Sequence, residues 1–118
     1  MNSEEKNDAE RYNYLIETIV SKKEVWLLQA YSGMFAMLDD EKENQYLPVW
    51  PEKNYAENYA KLEWTNYEAE RMGIGEFLAW LDELEEDGIK IAAFPVSEDN
   101  VTPQTAIIFK NHITELLA

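Results

Sequence analysis

Residues 47–57 constrain the fold more than any other stretch: Leu47-Pro48-Val49-Trp50-Pro51-Glu52-Lys53-Asn54-Tyr55-Ala56-Glu57. Two prolines bracket a tryptophan at the end of an apolar, strand-like run, and a helical pattern starts at once. Pro48 cannot donate to a sheet ladder, so it is expected on an edge or at a bulge. Pro51 lacks a donor that the first turn of a helix leaves unpaired anyway, so a helix is expected to begin there. Tyr55, Ala56, Tyr59, Ala60 and Leu62 carry its apolar stripe.

The rest of the chain alternates between the same two periodicities. Ala9, Tyr12, Leu15, Ile16, Ile19 and Val20 predict an N-terminal helix, with Ser3 as a hydroxyl start and Lys22 and Lys23 at its end. Residues 24–31 read as an aromatic-rich strand, Ser32-Gly33 as a tight turn and residues 34–38 as a second strand. Residues 39–44 read as a solvated hairpin loop. They superficially resemble a calcium loop but lack its central glycine and distal glutamate. Gln45 to Trp50 is the third strand, giving an antiparallel meander.

Trp64 to Met72 reads as a loop. Ile74, Phe77, Leu78, Leu81 and Leu84 predict a third helix stopped at Gly88, Ile89 to Val96 a fourth strand, and 97–101 a polar loop. Thr102-Pro103 reads as the start of a last helix carrying Ala106, Phe109, Ile113 and Leu116. The expected order is α-β-β-β-α-α-β-α. The fold class is α+β, with a mainly antiparallel sheet of about four strands covered by helices. With 118 residues and no linker or repeat, residues 1–118 are expected to form one domain. The fourth strand returns from a helix, which permits a parallel pairing.

Charge narrows the partners. Ten basic residues stand among twenty-four acidic ones, for a net charge of −14. That balance cannot meet a phosphate backbone, so direct nucleic-acid binding and anionic membrane binding are not expected. The polar, acidic N-terminus is not read as a signal peptide, and no apolar run approaches a membrane span. No cysteine is present, which rules out a thiolate nucleophile and suits a cytoplasmic location. The four glycines fall in no phosphate-loop pattern, and no nucleophile elbow occurs.

The chain resembles a small bacterial family labelled domain of unknown function 2750. The resemblance rests on Arg11-Tyr12, Glu24-Val25-Trp26-Leu27-Leu28, Leu47-Pro48-Val49-Trp50-Pro51-Glu52-Lys53 with Tyr55-Ala56, and Trp64. It continues through Phe77-Leu78-x-Trp80-Leu81 with Leu84-x-x-Asp87-Gly88, then Phe94-Pro95 and Thr102-Pro103. It spans about residue 10 to 117. A fainter likeness to the N-terminal domain of enhanced-serine-sensitivity proteins implies a shared α+β topology. Neither implies catalytic residues.

The candidate binding residues are Trp50, Glu52, Lys53, Tyr55 and Trp64. Trp50 with the Glu52–Lys53 charge pair suits an interface anchor if exposed. It equally suits a tryptophan packed over the helix, with Glu52 lending charge to the first turn. His112, the sole histidine, reads as a surface or boundary residue. The acids Asp82, Glu83, Glu85, Glu86 and Asp87 sit at an unfavourable helix end, with Lys90 or Lys61 as conceivable partners. No catalytic residue, metal ligand or cofactor is assigned. The leading expectation is a non-enzymatic, cytoplasmic protein-binding module, monomeric or weakly dimeric. The alternatives are an acidic inhibitor or immunity-type protein for a basic partner, and a small enzyme or ligand-binding domain with carboxylates and aromatics in a cleft.

Overall fold

The described residues, 8–40, 42–96 and 102–117 of a computed structural model, form four helices and six strands. The order is α1 (Asp8–Lys22), β1 (Glu24–Ala30), β2 (Leu38–Asp39), β3 (Gln45–Val49), α2 (Lys53–Glu63), β4 (Tyr67–Gly73), α3 (Ile74–Glu86), β5 (Lys90–Ala93), β6 (Thr102–Gln104) and α4 (Ala106–Leu117). The α+β class is as expected. The expected Ser3 start and the 97–101 loop fall outside the described residues.

Two ladders carry the sheet. β1 pairs antiparallel with β4 over seven residues, from Glu24↔Gly73 to Ala30↔Tyr67. The other ladder has the order β2-β3-β5-β6, with β3 and β5 parallel as the helical return permitted. Trp26 and Trp50 join the ladders by exchanging both backbone hydrogen bonds at 2.9 Å. The expected meander is therefore only partial. Residues 34–37 follow β1 through the Gln29–Phe35 bridge, and regular β2 is confined to Leu38–Asp39.

Pro48 lies in an inner strand rather than on an edge. Backbone groups alternate sides along a strand. Trp50 faces Trp26 and the Val49 carbonyl accepts from Phe94 N–H, so Pro48 shares the Trp50 side. There β2 reaches only as far as Tyr46, and β1 arrives only at Trp50. The missing amide falls into that gap and leaves the β5 ladder intact.

Other expectations are overturned as well. Trp64 to Met72, expected to be loop, instead holds most of β4 (Tyr67–Gly73), the longest partner of β1. Thr102-Pro103, expected to start the last helix, lies in edge strand β6 opposite Ala93 and Ala92. Proline is tolerated there because the outer side needs no donor. The hydroxyl cap is one turn later: Thr105 Oγ1 accepts the Ile108 N–H at 3.3 Å. Helix α2 likewise begins at Lys53, two residues past Pro51.

Other local signals operate as read. Gly88, with φ +73°, closes α3: its N–H donates to the Glu85 carbonyl and the Ile89 N–H to that of Leu84. These two bonds satisfy carbonyls that the helix end leaves open. In the 39–44 hairpin, Asp40 accepts from the Lys42 and Asn44 N–H groups, Asn44 Nδ2 and the Tyr46 hydroxyl. Those donors hold its carboxyl well below the usual carboxylate range, the Asn44 side chain contributing most. The core gathers the helical stripes around Phe109, whose ring meets Tyr12 of α1 and Phe77 of α3 edge-on. Ala9, Leu62 and Leu116, expected in stripes, are exposed.

The acidic end of α3 has a physical account that differs from the expected Lys90 or Lys61. Asp82 binds Lys110 Nζ of α4 at 2.8 Å, and Glu85 accepts the Ile107 N–H at 3.0 Å. The C-terminal acids of one helix thus meet the N-terminal end of the next, where negative charge is favourable.

Candidate functional site

Trp50 faces the core. Its side chain has no solvent exposure, its Nε1 donates to the Pro95 carbonyl at 2.8 Å, and its ring lies 5.2 Å from that of Tyr59 in α2. An exposed Trp50 anchor is therefore not part of this surface. The residue ties β3, α2 and the 94–96 turn together.

Glu52 and Tyr55 belong to a second cluster, at the N-terminal end of α2. Glu52 precedes the helix but makes no side-chain cap bond. Its carboxylate instead accepts from the Tyr14 hydroxyl at 2.6 Å and from Lys22 Nζ at 2.7 Å, joining both ends of α1's last two turns to the junction. Tyr55 packs on Phe94 at 4.7 Å, and Tyr14 meets the same ring at 6.3 Å. Lys22 first, then Tyr14, holds the Glu52 carboxyl below its ordinary value. Tyr14 is pushed up to about 12, first by its bond to that carboxylate and then by burial.

The signs differ for the two groups. A depressed Glu52 stabilises the fold above the unfolded glutamate pKa and loses that contribution as pH falls through the folded value. A raised Tyr14 stabilises below the unfolded value of 10.0 and loses that contribution as pH rises towards about 12. The variant Glu52→Gln is expected to let Tyr14 ionise nearer its ordinary pKa. It should cost about 1 kcal/mol from the weakened charge-assisted bonds. Ultraviolet titration of tyrosinate, with thermal unfolding against pH, checks both. An unchanged titration curve in the variant would show that the Glu52 bond does not control Tyr14.

Lys53 belongs to a different feature, an open groove between α2 and β4. It holds about 510 Å³ and is lined by Lys53, Glu57 and Lys61 on α2 with Thr65, Tyr67, Glu68 and Ala69 below. Residues four apart share a helix face, so Lys53, Glu57 and Lys61 form one row of alternating charge. Trp64 closes α2 through its N–H to the Ala60 carbonyl and meets Tyr67 edge-on at 5.0 Å. The five sequence candidates are thus divided. Trp50 is core, Glu52 and Tyr55 brace α1, Lys53 lines the groove, and Trp64 ends α2 against Tyr67 without lining it. Lys61, Tyr67 and Glu68 were missed. The four-residue spacing of Lys53, Glu57 and Lys61 was visible, but the floor required β4.

A smaller groove of about 330 Å³ lies over α3, between Phe35, Met72, Ala79 and Trp80, with Glu76 and Glu83 on its rim. The Trp80 and Phe35 rings meet at a tilt, 5.1 Å apart. His112 is half-buried, and its Nδ1 shares a 2.5 Å hydrogen bond with the Tyr12 hydroxyl. Among the described residues no three His, Asp or Glu side chains converge as a metal site, and no helix is long and apolar enough to cross a membrane. The carboxylates with displaced titration, Glu24, Asp40 and Glu52, are all displaced downward by donors. None of the three lines either groove.

The family model described as "Protein of unknown function (DUF2750)" matches residues 12–113, and the chain belongs to that family. No curated protein and no solved structure matches it.

Proposed function

We propose that this member of the family is a non-enzymatic protein-binding module whose recognition surface is the groove between α2 and β4. The observation carrying this reading is the groove itself: an open channel along a helix, with Lys53, Glu57 and Lys61 on one wall and Tyr67 on its floor. Charged groups in alternation give a surface specificity for one partner and reject like-charged ones. Tyr67, held edge-on by Trp64, provides the rigid aromatic contact that interfaces favour.

Two observations favour this reading over the alternatives. Exposed carboxylates stand on all four helices and on β4, among them Glu17, Glu57, Glu70, Glu86 and Glu115. An inhibitor acting through one acidic face would concentrate them. The displaced carboxylates are held ionised by donors, whereas a general acid at neutral pH needs its pKa raised. A cytoplasmic setting and a monomeric or weakly dimeric state belong to the same proposal.

The test is a pull-down from native lysate at low and moderate salt, with the wild-type chain beside Lys53→Glu/Lys61→Glu. The wild type should retain a partner that the double variant releases, with affinity lower by about tenfold or more. Recovery of nothing at either salt, or equal recovery by both proteins, would count against the reading.

A further inference from the structure

Beside this groove, strand β4 has one paired side and one open side. On β1, Trp26 faces Trp50, the Leu28 carbonyl accepts from Ala36, and the Ala30 N–H donates to Met34. These three residues therefore turn their backbone groups away from β4. Val25, Leu27 and Gln29 must hold the ladder, opposite Met72, Glu70 and Glu68. It follows that Tyr67, Ala69 and Arg71 direct their N–H and C=O groups to the outer edge. The Tyr67 N–H confirms the direction by donating to the Trp64 carbonyl at 2.9 Å. Among the described residues no backbone hydrogen bond outside the strand ladders reaches the Ala69 or Arg71 N–H.

We infer that β4 takes an added strand: an extended segment of a partner protein, with lysine or arginine at alternate positions, paired along the outer edge of β4. The inference rests on the protein-binding reading and names the partner's chemistry. Main-chain bonds to Ala69 and Arg71 supply attachment, and the alternate side chains supply selection. Glu68 and Glu70 are exposed and, two residues apart, share one face of the strand. Basic residues spaced by two on the added strand fall directly opposite them, where opposite charges attract and like charges repel.

The same register disfavours a second copy of this chain. In antiparallel self-pairing through the outward groups, a twofold axis at Glu70 places Glu70 against Glu70. An axis at Ala69 places Glu68 against Glu70, and one at Arg71 places Arg71 against Arg71. Each alignment opposes like charges, a device that keeps open edges from self-association. The net charge of −14 further favours a basic partner.

The probe is a synthetic peptide alternating lysine with threonine. Its controls are the same composition with the lysines in one block, and the alternating sequence with glutamate for lysine. Affinity is read by titration calorimetry, and amide hydrogen exchange follows Ala69 and Arg71. The alternating lysine peptide should bind at least about tenfold more tightly than the blocked one, and should slow exchange at both amides. Ala69→Pro removes an outward donor without touching the β1 ladder and should abolish that binding. Glu68→Lys/Glu70→Lys should exchange the preference, taking the glutamate peptide instead.

Equal binding of the blocked peptide, no slowing at Ala69 and Arg71, or an unchanged preference in the charge-swapped variant overturns the inference. The exchange measurement uses the unaltered chain, so it decides the matter even if Ala69→Pro fails to fold. A lysate partner lost by Lys53→Glu/Lys61→Glu but kept by a folded Ala69→Pro would leave the binding reading standing and remove strand addition alone.

Discussion

Replacing Trp50 with alanine is expected to lower stability by about 3–5 kcal/mol, the range for deleting a buried aromatic side chain. A domain of this kind is stable by roughly 5–15 kcal/mol in total, so the variant is expected to be close to unfolded at physiological temperature. Three losses coincide at this residue. The ring leaves a void against Tyr59, the Pro95 carbonyl loses its donor, and the point where the two ladders meet loses its packing. Trp50→Phe separates the terms. It keeps most of the apolar contact but leaves a buried carbonyl unsatisfied, at about 1–3 kcal/mol. Urea unfolding should show a lower midpoint at unchanged slope for Trp50→Phe. A loss below about 1 kcal/mol for Trp50→Ala would contradict the structural role assigned to the ring.

At Phe94 the expected result is an inversion of the ordinary order of alanine and glycine. This residue has no solvent exposure, yet its φ is +48°, in the left-handed region. The conformation lets its N–H donate to the Val49 carbonyl while its ring enters between Tyr14 and Tyr55. Left-handed backbone costs a non-glycine residue about 1–2 kcal/mol. The buried ring offsets that cost. Phe94→Ala loses the ring and keeps the backbone cost, for a total of about 3–5 kcal/mol. Phe94→Gly loses the same ring and is relieved of the left-handed cost, so it should be no less stable than the alanine variant. Elsewhere in ordered structure glycine is the worse of the two by roughly 0.5–1 kcal/mol. Paired chemical denaturation of the two variants decides it. An alanine variant clearly more stable than glycine would mean that the left-handed turn carries no strain.

The two ends of α2 show how much of the site was readable. Pro48, Trp50 and Pro51 announced a strand end and a helix start; the strand ends at Val49, and the helix begins at Lys53, two residues past Pro51. Whether Trp50 faced inward was not readable, because its partner, the Pro95 carbonyl, lies 45 residues away in sequence. The brace on Glu52 was equally hidden: Tyr14 and Lys22 belong to a helix 38 and 30 residues upstream. Lys53, Glu57 and Lys61 could be placed on one helix face from spacing alone. The groove they overlook could not, since its other wall is β4.

The reason β4 escaped notice is physical. Tyr67-Glu68-Ala69-Glu70-Arg71-Met72-Gly73 contains no β-branched residue and three charged ones, so its intrinsic strand preference is weak. Its faint alternation, Tyr67 and Ala69 against Glu68 and Glu70, was the available signal. Long-range pairing with β1 overrides propensity here, as sheets commonly allow. Thr102-Pro103 is the converse case. A hydroxyl followed by proline suits a helix start, but it suits an edge strand as well, and β5 was the deciding neighbour.

By itself, the amino-acid sequence determined the four helices, through apolar spacing, and the turns at Gly33 and Gly88, through glycine's freedom at positive φ. It also determined the net charge of −14. These are local properties, decided within a few residues of each position. The tertiary structure alone decided that Trp50 is buried, that the acids ending α3 meet the start of α4, and that β4 exists with an open edge beside α2. Each of those outcomes depends on which segments meet across tens of residues. Hydrogen-bond ladders and buried contacts select that meeting, and no local preference in the chain encodes it.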